Sequence, residues 1–207
     1  MRSVSGVVLL CGLALSGLAA PAAAEDAAAP KGLEVNDGTF RCLADMTKVR
    51  HFFVDNLVGD LEATVKVANS TTGGVYPVGT VLQLVPTEVM VKQPAGFSPV
   101  TKDWEFFELD VSPEGSKIGK RGFAQVVNRF GGNCFGCHVK ARPEFDFVCE
   151  LDHGCDAIPL TRPMITAIQH TDPRCKNAPP PTPEDLEALK ALQALSAPPP
   201  AAEGAKQ

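Results

Sequence analysis

The chain has 207 residues, a formal net charge of −5, seven cysteines and only 6% aromatic residues. Mild acidity gives no electrostatic basis for nucleic-acid binding. The length suits one domain with extensions rather than several domains.

Arg2 precedes a short apolar run, VVLLCGLALSGLAA, which is followed by PAAAED. A basic start, a short apolar stretch and an A-x-A site read as a signal peptide over residues 1–24, cut after Ala24. The run is too short and too weakly flanked for a good spanning helix; an uncleaved anchor is the alternative. Cleavage would remove Cys11 and one formal charge, Arg2, and take the net charge from −5 to −6. A periplasmic or secreted location follows, with no stable membrane span, in a compartment where spare thiols pair.

Residues 25–36 are expected to form a flexible leader and 37–177 the domain proper. A short strand is predicted around His51–Val54, then a short helix from about Asp60, with Leu61, Val65 and Ala68 on one stripe. STTGG ends that helix as a turn. Strand-like pieces follow at 79–85, 88–92 and 103–111, with Pro86 separating the first two. SPEG (112–115) is a turn after the third. This body is mostly β and antiparallel, which makes the fold class α+β. Residues 178–207 form a Pro/Ala-rich tail with one helix. Thr182 is a natural N-cap, Pro183 suits the first helical position, and Leu186, Leu189 and Leu192 make a narrow stripe. Such a helix is marginal by itself.

Between body and tail lies GGNCFGCHVKARPEF, with Cys134 and Cys137 three apart and His138 next. Over roughly 200 windows, this composition gives about 0.004 chance C-x-x-C-H matches. A thioredoxin-like dithiol needs an apolar strand leading in and a long helix leading out. Here NRFGGN leads in, and Pro143 cuts short any helix. Zinc could use Cys134, Cys137, Cys149 and Cys155, close to ribbon-like spacing, but needs four thiolates in an oxidising compartment and leaves His138 unused. Covalent haem c uses every residue: the thiols of Cys134 and Cys137 add to the vinyl groups, and His138 ligates the iron. Haem is therefore the expected cofactor, and His138 the expected metal ligand.

Four cysteines then remain, Cys42, Cys149, Cys155 and Cys175, with three possible pairings. Cys149–Cys155 would close a short, turn-rich loop; Cys42–Cys175 would then tie the start of the domain to its end.

The motif lies late, behind a β-rich body. With YPVGTVLQLV (a Pro-x-Gly-Thr turn entering a strand) and the aromatic stretch DWEFFELDV, this resembles the cytochrome P-460 family and its relative cytochrome c′-beta over residues 45–150. The resemblance implies an antiparallel sheet with helices cradling a single haem, often in a homodimer. It assigns Cys134 and Cys137 to attachment and His138 to the proximal position. Members that oxidise hydroxylamine carry a haem-linked lysine soon after the turn. Here Val81, Leu82, Gln83 and Leu84 stand there, and Lys92 lies beyond Pro86. The c′-beta type, without the cross-link and with an apolar distal side, fits better.

The resemblance favours no strong sixth ligand. Met90, Met164, His51, His153 and His170 are the candidates. Methionines in such places are usually core fillers; His51 reads as a strand-end residue, His153 as exposed and His170 as loop. Trp104, Phe106 and Phe107 wall the haem or build the sheet core. Glu88, Glu105 and Glu108 are carboxylates on strands, with solvent-facing positions expected. Two functions stay open: an electron-transfer or small-gas (NO/CO) haem protein with a small gaseous ligand or a redox partner protein, and a haem oxidoreductase acting on a small nitrogen compound. A zinc-binding structural domain is a minor third.

Overall fold

The computed structural model describes residues 31–150 and 152–196. The expected signal peptide, and the leader up to residue 30, lie outside the described residues. Six strands form one antiparallel meander in chain order: β1 (Thr47–Val49), β2 (Phe52–Asn56), β3 (Thr80–Val85), β4 (Glu88–Lys92), β5 (Trp104–Ser112) and β6 (Gly115–Gly122). Four α-helices accompany them: α1 (Leu61–Ala68), α2 (Cys134–His138), α3 (Arg162–His170) and α4 (Pro183–Ser196). The α+β class and the antiparallel sheet agree with the sequence reading. Among the described residues no helix is long and apolar enough to cross a membrane.

Period-two alternation assigns the side chains to two faces. The first face carries Phe52, Val54, Leu82, Met90, Trp104 and Phe106. Helix α1 covers it with Leu61, Val65 and Ala68, the stripe expected from sequence, joined by Tyr76, Val126 and Val148. The second face carries Val81, Val89, Val91, Phe107 and Leu109, covered by Leu33, Val35 and Phe40. Both faces are buried, which is why β3 and β4 read as nearly continuous apolar runs. Leu33 and Val35 also show that the leader expected over 25–36 is already packed at its end; the Leu33 amide donates to Gln93 Oε1 at 2.6 Å.

Pro86 and Thr87 form the tight connection of a β3–β4 hairpin, in which Val85 opposes Glu88. Proline donates no backbone hydrogen bond, so it is tolerated at the turn and excluded from the ladder. The Pro77–Thr80 turn closes with the Thr80 amide on the Pro77 carbonyl at 3.2 Å. Gly79, at φ +84°, supplies the left-handed residue this turn needs. Gly73 has a different reason: a Cβ there would lie 2.1 Å from the Glu144 carbonyl oxygen.

Four elements differ from the sequence reading. Strand β1 was not expected, and β6, rich in Lys and Arg, lacks an apolar run because it is the edge strand, paired only with β5. Helix α3 was missed; its signal was Thr161, whose Oγ1 accepts from the Met164 amide, with Pro163 in the first turn. Gln169 on α3 donates to the carbonyls of His51 and Leu84 at 2.7 and 2.8 Å, fastening the helix to the sheet. Helix α4 is docked on α3 rather than marginal. Its buried face is Ala188 and Leu192 against Met164 and Ala167. Leu186, placed on the expected stripe, is 57% exposed.

Disulfides join Cys42 to Cys175 and Cys149 to Cys155. Beside the first, Asp172 and Arg174 form a buried ion pair at 2.8 Å. Asp172 also accepts the Leu43 amide at 2.9 Å, and Arg174 donates to Ser116 Oγ at 3.1 Å.

Candidate functional site

Helix α2 is a short helix of five residues held at its start by Asn133. Asn133 is its N-cap, with Oδ1 accepting from the Gly136 amide at 2.7 Å. Its Nδ2 donates to the carbonyls of Phe123, Ala124 and Val126 at 3.0–3.2 Å. One side chain thus starts the helix and ties it to the segment that follows β6. Cys134, Cys137 and His138 fall at i, i+3 and i+4, which puts all three on one face.

Cys134 and Cys137 are the free cysteines among the described residues, and both are half-buried. Burial, reinforced by the nearby carboxylates of Glu88 and Glu108, pushes the Cys134 thiol up to about 12. Burial also raises Cys137, with Asp156 adding to the effect. Both sulfurs are therefore protonated thiols at neutral pH. Lys140 acts on Cys137 in the opposite sense without reversing the shift, so neither sulfur has the lowered pKa of a redox-active thiolate.

His138 packs edge-on against Phe106, ring centres 5.3 Å apart. Phe135, on the same helix, contacts Phe106, Phe123 and Phe147 at 6.2, 5.6 and 5.9 Å. The surroundings are aromatic, and burial lowers the pKa of His138. Its Nδ1 lies 2.7 Å from the Phe147 carbonyl oxygen. A carbonyl only accepts, so Nδ1 carries the hydrogen and Nε2 keeps a free lone pair. A neutral imidazole oriented through one nitrogen, with the other open, is a metal-ligand arrangement.

The sixth-ligand candidates separate in space. Met90 lies on the first sheet face, paired across the ladder with Leu82 and with Phe106, the residue that touches His138. Met164 belongs to the α3–α4 cluster. His51, in the turn between β1 and β2, is 3.4 Å from Glu150. His153, expected to be exposed, is stacked on Phe145 at 3.6 Å and bonded through Nδ1 to the Val148 carbonyl at 2.7 Å. Turn residues there fold the ring back onto its own loop. His170, read as loop, ends α3 and contacts Asp185 at 3.1 Å.

The aromatic residues of β5 divide by alternation. Trp104 and Phe106 share the face with Cys134, while Phe107 packs on the other. Of the carboxylates expected to face solvent, Glu105 is 4% exposed and paired with Arg121 at 2.7 Å. Glu108 pairs with Lys120 at 2.9 Å. Glu88 is held above the usual carboxylate range by burial.

The four-cysteine zinc set is dismantled, because Cys149 and Cys155 are bonded to each other. Cys42, Asp172 and Cys175 also cluster. Two of those ligands form a disulfide and the third is engaged by Arg174.

No family model, curated protein or solved structure matches the chain. The reading of the site therefore rests on its own residues. The sequence reading missed Asn133, whose residue type just before a helix was the signal, and the Phe147 carbonyl, a backbone group that no sequence pattern marks.

Proposed function

We propose that this protein is an exported c-type monohaem protein of cytochrome P-460/c′-beta type, serving in electron transfer or in binding a small gas such as NO or CO. The observation that carries the reading is His138, placed beside two uncommitted thiols with Nδ1–H donated to a backbone carbonyl and Nε2 open. These residues fit haem c: Cys134 and Cys137 would hold it by thioethers, His138 would ligate its iron, and aromatic rings would pack around it. Thioether formation consumes neutral thiols, so the depressed acidity of Cys134 and Cys137 is compatible with attachment, whereas a thiolate site would need it reversed. Bound haem would supply a one-electron iron centre able to take small neutral ligands.

Of the sixth-ligand candidates, Met90 is the one that shares the sheet face of Phe106 and Cys134, so it is the side chain that would be available to the iron. Lys92, the first lysine after the Pro77–Thr80 turn, is committed to an ion pair with Asp146 at 2.7 Å. That supports a site without a lysine cross-link. Where no side chain takes the sixth position, the apolar lining disfavours charged ligands, because burying an unpaired charge costs several kcal/mol.

The test is expression with haem-maturation machinery, followed by visible spectroscopy and a pyridine haemochrome assay. Haem should survive denaturation in the wild type and be absent in the Cys134→Ala, Cys137→Ala variant. A haem-free protein carrying zinc would refute the reading. NO or CO uptake by the ferrous protein supports an open site; a methionine-to-iron charge-transfer band that is lost in Met90→Leu assigns Met90 as a ligand and electron transfer as the role.

One observation favours a second reading, an oxidoreductase acting on a small nitrogen compound. Glu88 lies near Cys134 with its acidity weakened by burial, as a general acid–base group requires. Hydroxylamine turnover that falls in Glu88→Gln would establish it.

A further inference from the structure

We propose that Lys92 and Asp146 are positioning residues for His138: their buried ion pair fixes the Phe147 carbonyl, and that carbonyl fixes the tautomer and orientation of the imidazole. The inference rests on the haem reading and deepens it.

Asp146 is gripped at three points. Its Oδ2 accepts from Lys92 Nζ at 2.7 Å and from the Tyr76 amide at 3.0 Å. Its backbone carbonyl accepts from Trp104 Nε1 at 2.7 Å. Lys92 Nζ donates again to the Lys102 carbonyl at 2.8 Å. Lys102 in turn donates to the Pro143 carbonyl at 3.1 Å and sits 4.5 Å over the Phe147 ring. Lys92 on β4 and Trp104 on β5 thus hold Asp146 itself, and Lys102, just before β5, holds the chain on both sides of it.

The backbone of that loop is unusual. Asp146 and Phe147 both adopt left-handed conformations, φ 51° and 62°. Lys102, which sits over the Phe147 ring, and its neighbour Asp103 do the same at 51° and 64°. A bulky residue such as Phe is a genuine outlier there, and such residues persist only where their surroundings over-determine them. In this case the left-handed pair directs the Phe147 carbonyl to His138 Nδ1.

The side chains of the ion pair are 7% and 3% exposed. Buried pairs add little stability over apolar residues of similar volume. What this pair supplies is a fixed loop geometry. Orientation of a ligating histidine through its other nitrogen sets its basicity as a donor.

The experiment compares haem-loaded wild type with Asp146→Asn, Lys92→Met, Lys92→Arg and Trp104→Phe, and with Lys120→Gln as a surface control. Three quantities are read: covalent haem per chain, solvent exchange of the His138 Nδ1 proton by NMR, and reduction potential. Asp146→Asn and Lys92→Met should keep the haem, exchange that proton at least about tenfold faster, and shift the potential upward as the histidine loses donor strength. Lys92→Arg should recover part of both effects. Trp104→Phe keeps the ion pair and removes one grip on Asp146, so it tests the same loop without leaving a buried charge unpaired and should give a smaller change in the same direction. Haem-loaded variants with wild-type exchange and potential would overturn the inference and leave the haem reading standing. A wild-type protein without covalent haem would overturn the haem reading itself.

Discussion

Replacing Cys42 and Cys175 together by alanine should be among the most damaging changes. The bridge spans 133 residues. In the chain-entropy description, cross-linking so long a loop removes about 5 kcal/mol of unfolded-state freedom, against about 2 kcal/mol for a six-residue span. Measured bridges often deliver less than this, so a loss of about 3–5 kcal/mol is expected. The native contacts beside the bridge survive the substitution: the Leu43 amide on Asp172 and Arg174 on Ser116. Apart from the Ala44 amide on Cys42 Sγ at 3.3 Å, the effect therefore falls on the unfolded chain. With a urea slope of about 2 kcal/mol/M, the unfolding midpoint should drop by about 1.5–2.5 M. Circular dichroism reads this on oxidised protein, with Cys149–Cys155 intact and checked by peptide mass. A drop below about 0.5 M, or a larger loss from the Cys149, Cys155 double variant, would refute the reasoning.

The remaining predictions concern the second bridge and single side chains. Removing the Cys149–Cys155 bridge should cost about 2 kcal/mol and speed amide exchange in residues 152–155. Phe106→Ala should cost about 3–5 kcal/mol in the same urea assay, because it opens a cavity under His138; a loss under about 1 kcal/mol would show that the site collapses around the gap. Glu88 is held above the ordinary carboxylate range by burial, so it contributes stability below about pH 4.3, lost as pH rises through its folded value. Glu88→Gln should therefore stabilise at pH 7 and change little at pH 4. His51 is shifted the other way, its pKa lowered by burial and by Arg162. The unfolded chain then binds more protons, so stability should fall as pH drops below about 6.5, and His51→Gln should remove that slope.

The sequence by itself settled what local pattern controls. Short apolar runs bounded by turn residues gave β3, β4 and β5 nearly to the residue, and the stripe Leu61, Val65, Ala68 gave α1 and its buried face, because period and burial are linked along a single element. Cys134, Cys137 and His138 were legible as a unit because their spacing is itself the geometry of one helical turn. Partners separated along the chain were decided only in three dimensions. The pairing of Cys42 with Cys175, open among three possibilities, is fixed by where α3 ends against the start of the domain. The sheet face of Met90 set it beside Phe106, while Met164 went to the α3–α4 cluster. Burial of Glu105 depends on Arg121 across the ladder, and that of His153 on a loop that folds onto Phe145. The Phe147 carbonyl that orients His138 is a backbone group, directed by a left-handed conformation that Lys92 and Trp104 impose from the sheet. Sequence patterns record how a residue repeats along its own element; they carry no record of which distant group will hold its backbone.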